Sequence, residues 1–441
     1  MISNLSYKES GIEWIGKIPK HWEVKKGKYI FKNVKRICGI EHEKYERLAL
    51  TMKGVIKRSK DDSEGLQPKE FETYQILKKN ELVFKLIDLE NIKTSRVGYS
   101  EYEGIVSPVY IILQNDKQNN KFFYYFYLHL YYNNVFNILG GGVRSNLTAR
   151  ELLNNYVVVP PIHEQREIVN FLDEKVKQIN NMLLIKEKQI ELLNSAKQSL
   201  IDNVILQGLN SNIKLKDSPI KWMKKIPYHW EVKRAKYYFY EVDERSSTGE
   251  EELLSVSHIT GVTPRSEKNI NMFLAESYIG YKLCSPNDIV CNIMWAWAGG
   301  IGVSKHHGIV SSSYGVYRLR NTELFIPSYL DYLLRTKAYI AEYTVRSKGI
   351  HSSRLRLYSD NFFDIPIICP PLHEQKEIVI YLRSEIDKIE NYIRTIESQI
   401  ALIQDYKKKL ITEAVMGRIA ILDLEQKRSN EDVYGYVGTG N

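Results

Sequence analysis

His163-Glu164-Gln165 and His373-Glu374-Gln375 are the polar triplets that first invite a chemical reading, because each sets an imidazole beside a carboxylate, the pairing that general acid–base catalysis uses. Both triplets follow a double proline, Pro160-Pro161 and Pro370-Pro371, and both open a run of about forty residues free of Pro and Gly. In the first turn of a helix a Glu meets the positive end of the helix dipole, and polar side chains can bond free backbone N–H groups. The triplets therefore read as helix start signals and not as catalytic dyads.

Other catalytic signatures are missing. There is no GxxxxGK[ST] phosphate loop and no HExxH. Neither proline pair has the Asn/Asp-Pro-Pro-aromatic setting expected of an adenine amino-methyltransferase. Gly140-Gly141-Gly142 and Gly299-Gly300-Ile301-Gly302 do not continue as GxGxxG, so they mark turns or close backbone approach instead of a cofactor site. Cys38, Cys284, Cys291 and Cys369 lack metal-type spacing and are expected to be buried free thiols. The sequence thus predicts no catalytic residue, no metal and no cofactor of its own.

What remains is binding. The net charge of +9 suits a polyanionic partner, and 31 tyrosines suit surfaces that are part buried and part wet. Basic side chains in Gly- and Ser-rich loops are the candidate nucleic-acid-binding residues: Lys53, Lys57, Arg58, Lys60, Lys93, Arg96, Arg144, Ser145 and Asn146 in the first half, and Arg265, Lys268, Lys305, His351, Ser352, Ser353, Arg354 and Arg356 in the second. Arg, Asn and Ser can read base edges, while Lys mostly holds phosphate. The loops Arg144 to Asn146 and His351 to Arg356 rank highest, since each lies just before the last apolar strand of its half.

These loops hang on a framework that occurs twice. Residues 8–31 (KESGIEWIGKIPKHWEVKKGKYIF) return as 216–239 (KDSPIKWMKKIPYHWEVKRAKYYF), so that Trp14, Pro19, His21 and Trp22 map to Trp222, Pro227, His229 and Trp230. These lead-in segments read as core anchors, not base-stacking elements. Asn80-Glu81-Leu82-Val83 aligns with Asn287-Asp288-Ile289-Val290, and Gly104-Ile105-Val106-Ser107 with Gly308-Ile309-Val310-Ser311. Short apolar runs such as Leu82 to Ile87, Ile105 to Leu113 and Ile289 to Met294 predict strands. Helices are expected near Phe122 to Leu139 and Pro327 to Arg346. Tyr156 to Val159 and Ile365 to Cys369 look like closing strands that run into the prolines.

Each forty-residue run carries a heptad seam: Val176, Ile179, Leu183, Ile190, Leu193, Leu200 and Val204 in the first, Ile386, Ile389, Ile393, Ile396, Ile400, Ile403 and Leu410 in the second. Two such helices in one chain most simply pair with each other. Lys186, Lys197 and Lys407 also fall on the seam, where a lysine can set register, snorkel out, or face a third partner. The fold class is α+β, with two repeated globular units at 1–160 and 210–369, long helices at 161–209 and 370–417, and a tail at 418–441 expected to be partly disordered. No apolar run approaches the roughly 20 residues needed to span a bilayer. Residues Met1 to Glu9 lack the features of a signal peptide, so the cytoplasm is the expected location.

Two variable units, each followed by a double proline, an EQ pair and a long helix, resemble the DNA-specificity subunit of type I restriction-modification systems. The resemblance runs from Gly11 to Gly417 and rests on Trp14 to Val24 with Trp222 to Val232, and on Pro160 to Ile168 with Pro370 to Ile378. Pro219 in place of Gly11 and the unmatched tail are the departures. The resemblance implies that each unit is a target recognition domain reading half of a split, asymmetric site on double-stranded DNA. The long helices would form an antiparallel coiled coil that fixes the gap. Two methyltransferase subunits would carry the S-adenosylmethionine chemistry, and restriction/translocase subunits would use ATP and Mg. A non-enzymatic coiled-coil adaptor with protein-binding repeats is the competing reading. A nuclease fused to its own recognition domains is disfavoured by the missing motifs.

Overall fold

The computed structural model describes residues 6–60, 70–89, 95–140, 146–210, 212–267, 275–349 and 355–419. The chain forms two compact units, Met1–Lys186 with Ser398–Asn441, and Glu187–Glu397. Each long helix is therefore shared out between the two.

The first unit is built on an antiparallel sheet in the order Lys32–Val34, Ile111–Gln114, Leu82–Phe84, Val97–Tyr99. The second unit repeats that order with Phe239–Glu241, Gly315–Leu319, Ile289–Cys291 and Ile301–Val303. The central strand is entered in both cases from an Asn in the left-handed region, Asn80 (φ 68°) and Asn287 (φ 74°), a conformation Asn tolerates better than most residues. A second sheet in the first unit, Gly54–Arg58, Arg47–Thr51, Gly104–Val106, Gln75–Leu77, is divided in the second unit. There, Leu254–Ser257 pairs with Gly261–Pro264 and Lys282–Cys284 with Gly308–Val310, and a single parallel bridge from Leu253 to Ile309 joins them.

The expected run from Ile105 to Leu113 is two strands, Gly104–Val106 and Ile111–Gln114. The two expected inner helices are likewise each broken in two. Asn120–Tyr132 stops at Asn133, and Val135–Leu139 restarts after Asn134, at φ 56°. Pro327–Leu334 stops at Arg335, and Thr336 caps Lys337–Arg346 by accepting from the Tyr339 N–H. Asn and Thr offer the backbone local alternatives to the helical ladder, which is why the breaks fall on them.

The closing strands pair with the lead-in segments, Tyr156–Val159 with Glu23–Lys26 and Pro366–Cys369 with Glu231–Arg234. The carbonyls of Pro161 and Pro371 then accept the first helical bonds, from Gln165 and Gln375 at 3.0 and 3.1 Å. The helices run Ile162–Gln207 and Leu372–Val415. Their seam residues are the buried or half-buried ones along the shaft. In the first unit Val176, Ile179 and Leu183 share a core with Ile403 and Leu410. In the second, Leu200 and Val204 share one with Leu382 and Ile386.

Two seam lysines find polar partners. Lys407 Nζ donates to Asn180 Oδ1 at 2.8 Å in the first unit, and Lys197 Nζ lies 3.3 Å from Glu390 Oε1 in the second. The two contacts are counterparts in the repeat, since Lys197 and Asn180 correspond to Lys407 and Glu390 at an offset of 210. Of the three roles open to a seam lysine, setting register fits these two. Lys186 is half-buried in the same stripe.

Trp22 and Trp230 are buried, as core anchors should be. Each bridges the start of one long helix and the end of the other within its own unit. The Trp22 indole donates to Glu164 Oε2 at 2.9 Å, and its ring lies where a Cβ on Gly417 would sit. The Trp230 indole likewise donates to Glu374 Oε2 at 2.9 Å, and its ring would be 3.2 Å from a Cβ on Gly208. Gly417 and Gly208 have φ of 66° and 80°, the usual closure of a helix C-terminus. All four cysteines are free and buried. Of the tail expected at 418–441, only Arg418 and Ile419 lie within the described residues.

Candidate nucleic-acid interface

The His-Glu-Gln triplets are structural, but by contacts other than those expected. Glu164 does not bond free helix N–H groups; its two oxygens take the Trp22 indole and His21 Nε2, the latter at 2.7 Å. Glu374 engages Trp230 and His229 in the same way. Gln165 and Gln375 are fully buried. Their Oε1 atoms accept the backbone N–H of Asn119 (3.0 Å) and Ile326 (2.8 Å), and their amides donate to Pro160 and Pro370 O. His163 and His373 point outward, 3.9 Å from the carboxylates. Carboxylates so occupied are poor candidates for a base. Among the described residues no cluster of His, Cys, Asp and Glu is placed to hold a metal ion. A polar cleft of about 480 Å³ beside the first long helix has its central charges matched, with Asp173 taking Lys121 Nζ at 2.8 Å and the Tyr125 hydroxyl at 2.7 Å.

The candidate DNA-binding residues divide into groups. In the first unit Lys53 lies in the turn of the hairpin Arg47–Thr51/Gly54–Arg58, fixed by Thr51 Oγ1, which accepts the Lys53 N–H at 3.1 Å. Lys57 is exposed on the second strand, its ammonium 5.6 Å from the Tyr102 ring centre. Arg58 follows on the same strand, half-buried. Lys60 donates to His42 O at 2.8 Å, which ties it to the framework.

Arg96 corrects the expectation. It is 1% exposed, and its guanidinium donates to the carbonyls of Ile87 (2.9 Å) and Asp88. A cation spent on buried carbonyls holds a turn in place and does not present itself to a phosphate. Asn146 joins the same turn: its Oδ1 accepts the Asp88 N–H at 2.9 Å, and the next residue, Leu147, donates its N–H to Leu86 O at 2.9 Å.

The second unit repeats this construction. Leu357 N–H donates to Ile293 O at 3.0 Å, and Asn292 N–H to Gly300 O at 2.8 Å, as Lys85 N–H does to Arg96 O at 3.0 Å in the first. Arg356 is exposed beside that turn, joined to Lys348 by a two-way backbone bridge. Arg265 follows the hairpin Leu254–Ser257/Gly261–Pro264 and lies close enough to Tyr314 to act on it electrostatically. Burial pushes the Tyr314 hydroxyl up, with Arg265 pulling the other way. Lys305 is exposed, but at the far end of the strand pair Ile289–Cys291/Ile301–Val303 from the turn. Lys93, Arg144, Ser145, Lys268, His351, Ser352, Ser353 and Arg354 lie outside the described residues.

The structure thus brings candidate segments distant in sequence onto one turn per unit, Leu86–Leu89 and Ile293–Ala296. The sequence did not mark these as turns, although the tract Ser255 to Tyr317, which holds Met294-Trp295-Ala296-Trp297, resembles a known type of recognition domain in the family of type I specificity subunits. The signal was available at Met294-Trp295-Ala296-Trp297, two aromatics in a polar, Gly-rich neighbourhood. At that shared position the first unit offers Asp88 and the second Trp295.

Comparison with known proteins agrees with this architecture. The profile of the type I restriction modification DNA specificity domain matches residues 19–192. Over 437 residues the chain is 23% identical to a Methanocaldococcus jannaschii protein provisionally named the type I restriction enzyme MjaX specificity subunit, covering 94% of this chain and 98% of that one. It is 26% identical over 289 residues to the MjaVIII specificity subunit of the same organism, covering 62% of this chain and 64% of that one. In fold it is similar to a chain from a solved structure concerned with complex assembly and conformational transition of the type I R-M system, with a TM-score of 0.63, 14% identity, and 91% of this chain and 99% of that one covered. The matched domain, the near full-length likeness and the same frame built twice make the chain similar, along nearly its whole length, to the specificity subunits of type I restriction-modification systems.

Proposed function

We propose that each compact unit reads one half of a bipartite, asymmetric site on double-stranded DNA, and that the coiled coil sets the spacing between the halves. The observation that carries this reading is a common frame with unlike contents. Both units hold the turn after the central strand by equivalent backbone bonds, yet one presents Asp88 and the other Trp295. A shared frame with different chemistry at its tip is what two readers of different sequences require. Exposed Lys53, Lys57 and Arg356 would supply phosphate contacts that position each head. Either head alone binds weakly, and linking them raises the effective concentration of the second.

Partner docking has a repeated surface available. Met182 and Leu192 on the first long helix and Tyr392 and Leu402 on the second are apolar and exposed, outside the seam, at the same offset of 210. Repeated apolar positions suit two copies of one partner, here the methyltransferase subunits, with restriction/translocase subunits joining the assembly. S-adenosylmethionine then belongs to the methyltransferases, and ATP and Mg to the restriction subunits. Among the described residues no helix is long and apolar enough to cross a membrane, which is compatible with work on DNA in the cytoplasm.

The test is a map of methylated adenines in cells with and without this gene, followed by exchange of residues 1–160 for the first unit of a relative. One half of the methylated motif should change and the other should stay. A change in both halves overturns modular reading.

A further inference from the structure

The turn between Ile289–Cys291 and Ile301–Val303 is built to hold one large side chain in the open. Asn292 Oδ1 accepts the Met294 N–H at 3.2 Å, and the Trp295 N–H returns to Asn292 O at 2.8 Å. The Trp297 indole donates to Met294 O at 2.9 Å. Gly299 turns the chain at φ 85°, and Gly300 passes so close to Trp295 that a Cβ there would meet its backbone. The outcome is that Trp295 is 55% exposed, its ring stacked on Trp297 with centroids 5.4 Å apart. Exposed tryptophan held in a fixed pose is a preformed apolar platform that loses little entropy on binding.

Its surroundings are cationic. The exposed Lys348 and Arg356 are fastened beside it through the Leu357–Ile293 bond. Asn292 Nδ2 donates to the Tyr314 hydroxyl at 2.9 Å, and Arg265 lies near enough to Tyr314 to act on it electrostatically. Nη2 of Arg265 has no hydrogen-bond partner among the described residues, although it is shielded from solvent. A flat apolar face with cations near it in the fold matches a polyanion that carries flat bases. An acidic protein surface would match the cations without needing the ring.

We propose that Trp295 and Arg265 are the base-contacting pair of the second unit. Trp295 makes the apolar contact to a base, Arg265 turns its unpartnered Nη2 to a base edge once DNA is bound, and Lys348 and Arg356 hold the flanking backbone. This rests on the reading of the units as DNA readers and names the contact residues of one of them.

The test uses the chain assembled with its methyltransferase subunits. Methylated sites are mapped and duplex affinity is measured for wild type, Trp295→Ala, Trp295→Phe, Arg265→Ala and Arg356→Ala. Losing one base contact weakens specific binding by roughly ten- to a hundredfold. Trp295→Ala and Arg265→Ala should each do so and relax base preference in the second half-site only, and Trp295→Phe should restore most of the loss. Arg356→Ala should weaken all sequences alike and flatten the salt dependence by about one counterion. Thermal melting of each variant separates misfolding from lost contact. An unchanged motif and affinity with folded, assembled Trp295→Ala overturns this inference and leaves two-part reading intact. So does a Trp295→Ala variant that binds DNA normally but no longer captures the methyltransferase. Absence of any two-part site in wild type overturns the underlying reading as well.

Discussion

Glu164 accepts the indole N–H of Trp22 at 2.9 Å across 142 residues of chain, and Glu374 accepts that of Trp230 at the same distance across 144. Each carboxylate fastens the start of a long helix to a buried ring that also packs on the closing glycine of the other helix. Glu164→Ala leaves a buried N–H without its acceptor, which costs about 1–3 kcal/mol. Glu164→Gln, which keeps an acceptor and loses the charge, should cost less. Chemical denaturation followed by tryptophan fluorescence measures both, and Glu374→Ala should destabilise the second unit to a similar extent. Wild-type stability in Glu164→Ala would show that the clamp contributes nothing.

Lys407 sits in the seam, where burial pulls its ammonium below the ordinary lysine value. A base with a depressed folded pKa is least favourable while protonated, and at neutral pH that penalty is present in full. Lys407→Met should therefore be neutral or stabilising by about 1 kcal/mol, as for other buried charges exchanged for apolar groups. Asn180→Glu should instead raise the Lys407 pKa, because it copies the Lys197–Glu390 pair at the equivalent position. Side-chain NMR titration of Lys407 reads the shift directly.

His129 gives the first unit a pH dependence. It is buried against Thr412, with Nδ1 3.0 Å from the hydroxyl, and burial lowers its pKa to about 4 from 6.5. The unfolded chain takes up this proton below about pH 6.5, while the folded chain resists until about pH 4. Stability is thus complete above pH 6.5 and falls as the pH drops toward 4, by up to about 3 kcal/mol. His129→Gln should flatten that window in melts recorded between pH 7 and 4.

Arg96 and Lys57 should separate framework from contact. Arg96→Met strands the carbonyls of Ile87 and Asp88 in the interior, and should destabilise the first unit by about 2–4 kcal/mol. Lys57→Ala, on an exposed strand, should leave stability within about 0.5 kcal/mol. It should also weaken DNA binding across sequences, with a salt slope smaller by about one. A destabilised Lys57→Ala or a stable Arg96→Met would reverse the assignment.

Much of this protein could be read before any coordinates. The repeat at offsets of 208 and 210, the two prolines before each helix, and the three–four spacing of seam residues follow from local rules. Proline position and side-chain period act within a few residues, so Ile162–Gln207 and Leu372–Val415 were legible, as was their seam. The breaks at Asn134 and Thr336 were not, because helix and turn compete there over a fraction of a kcal/mol per residue.

Other features depend on residues that meet only in the folded chain. Nothing local says that Glu164 will find Trp22, that Lys407 will find Asn180, or that Trp22 will close on Gly417. Nor could charge type alone divide the candidate cations: Arg96 and Lys57 are both basic residues of short strand-rich segments, yet one is walled in by carbonyls and the other faces water. Sequence determined which elements form and that they form twice. Tertiary structure decided which charges remain available and which side chain stands at the tip of each of the two equivalent turns, because burial and hydrogen-bond satisfaction are set by neighbours far away in the chain.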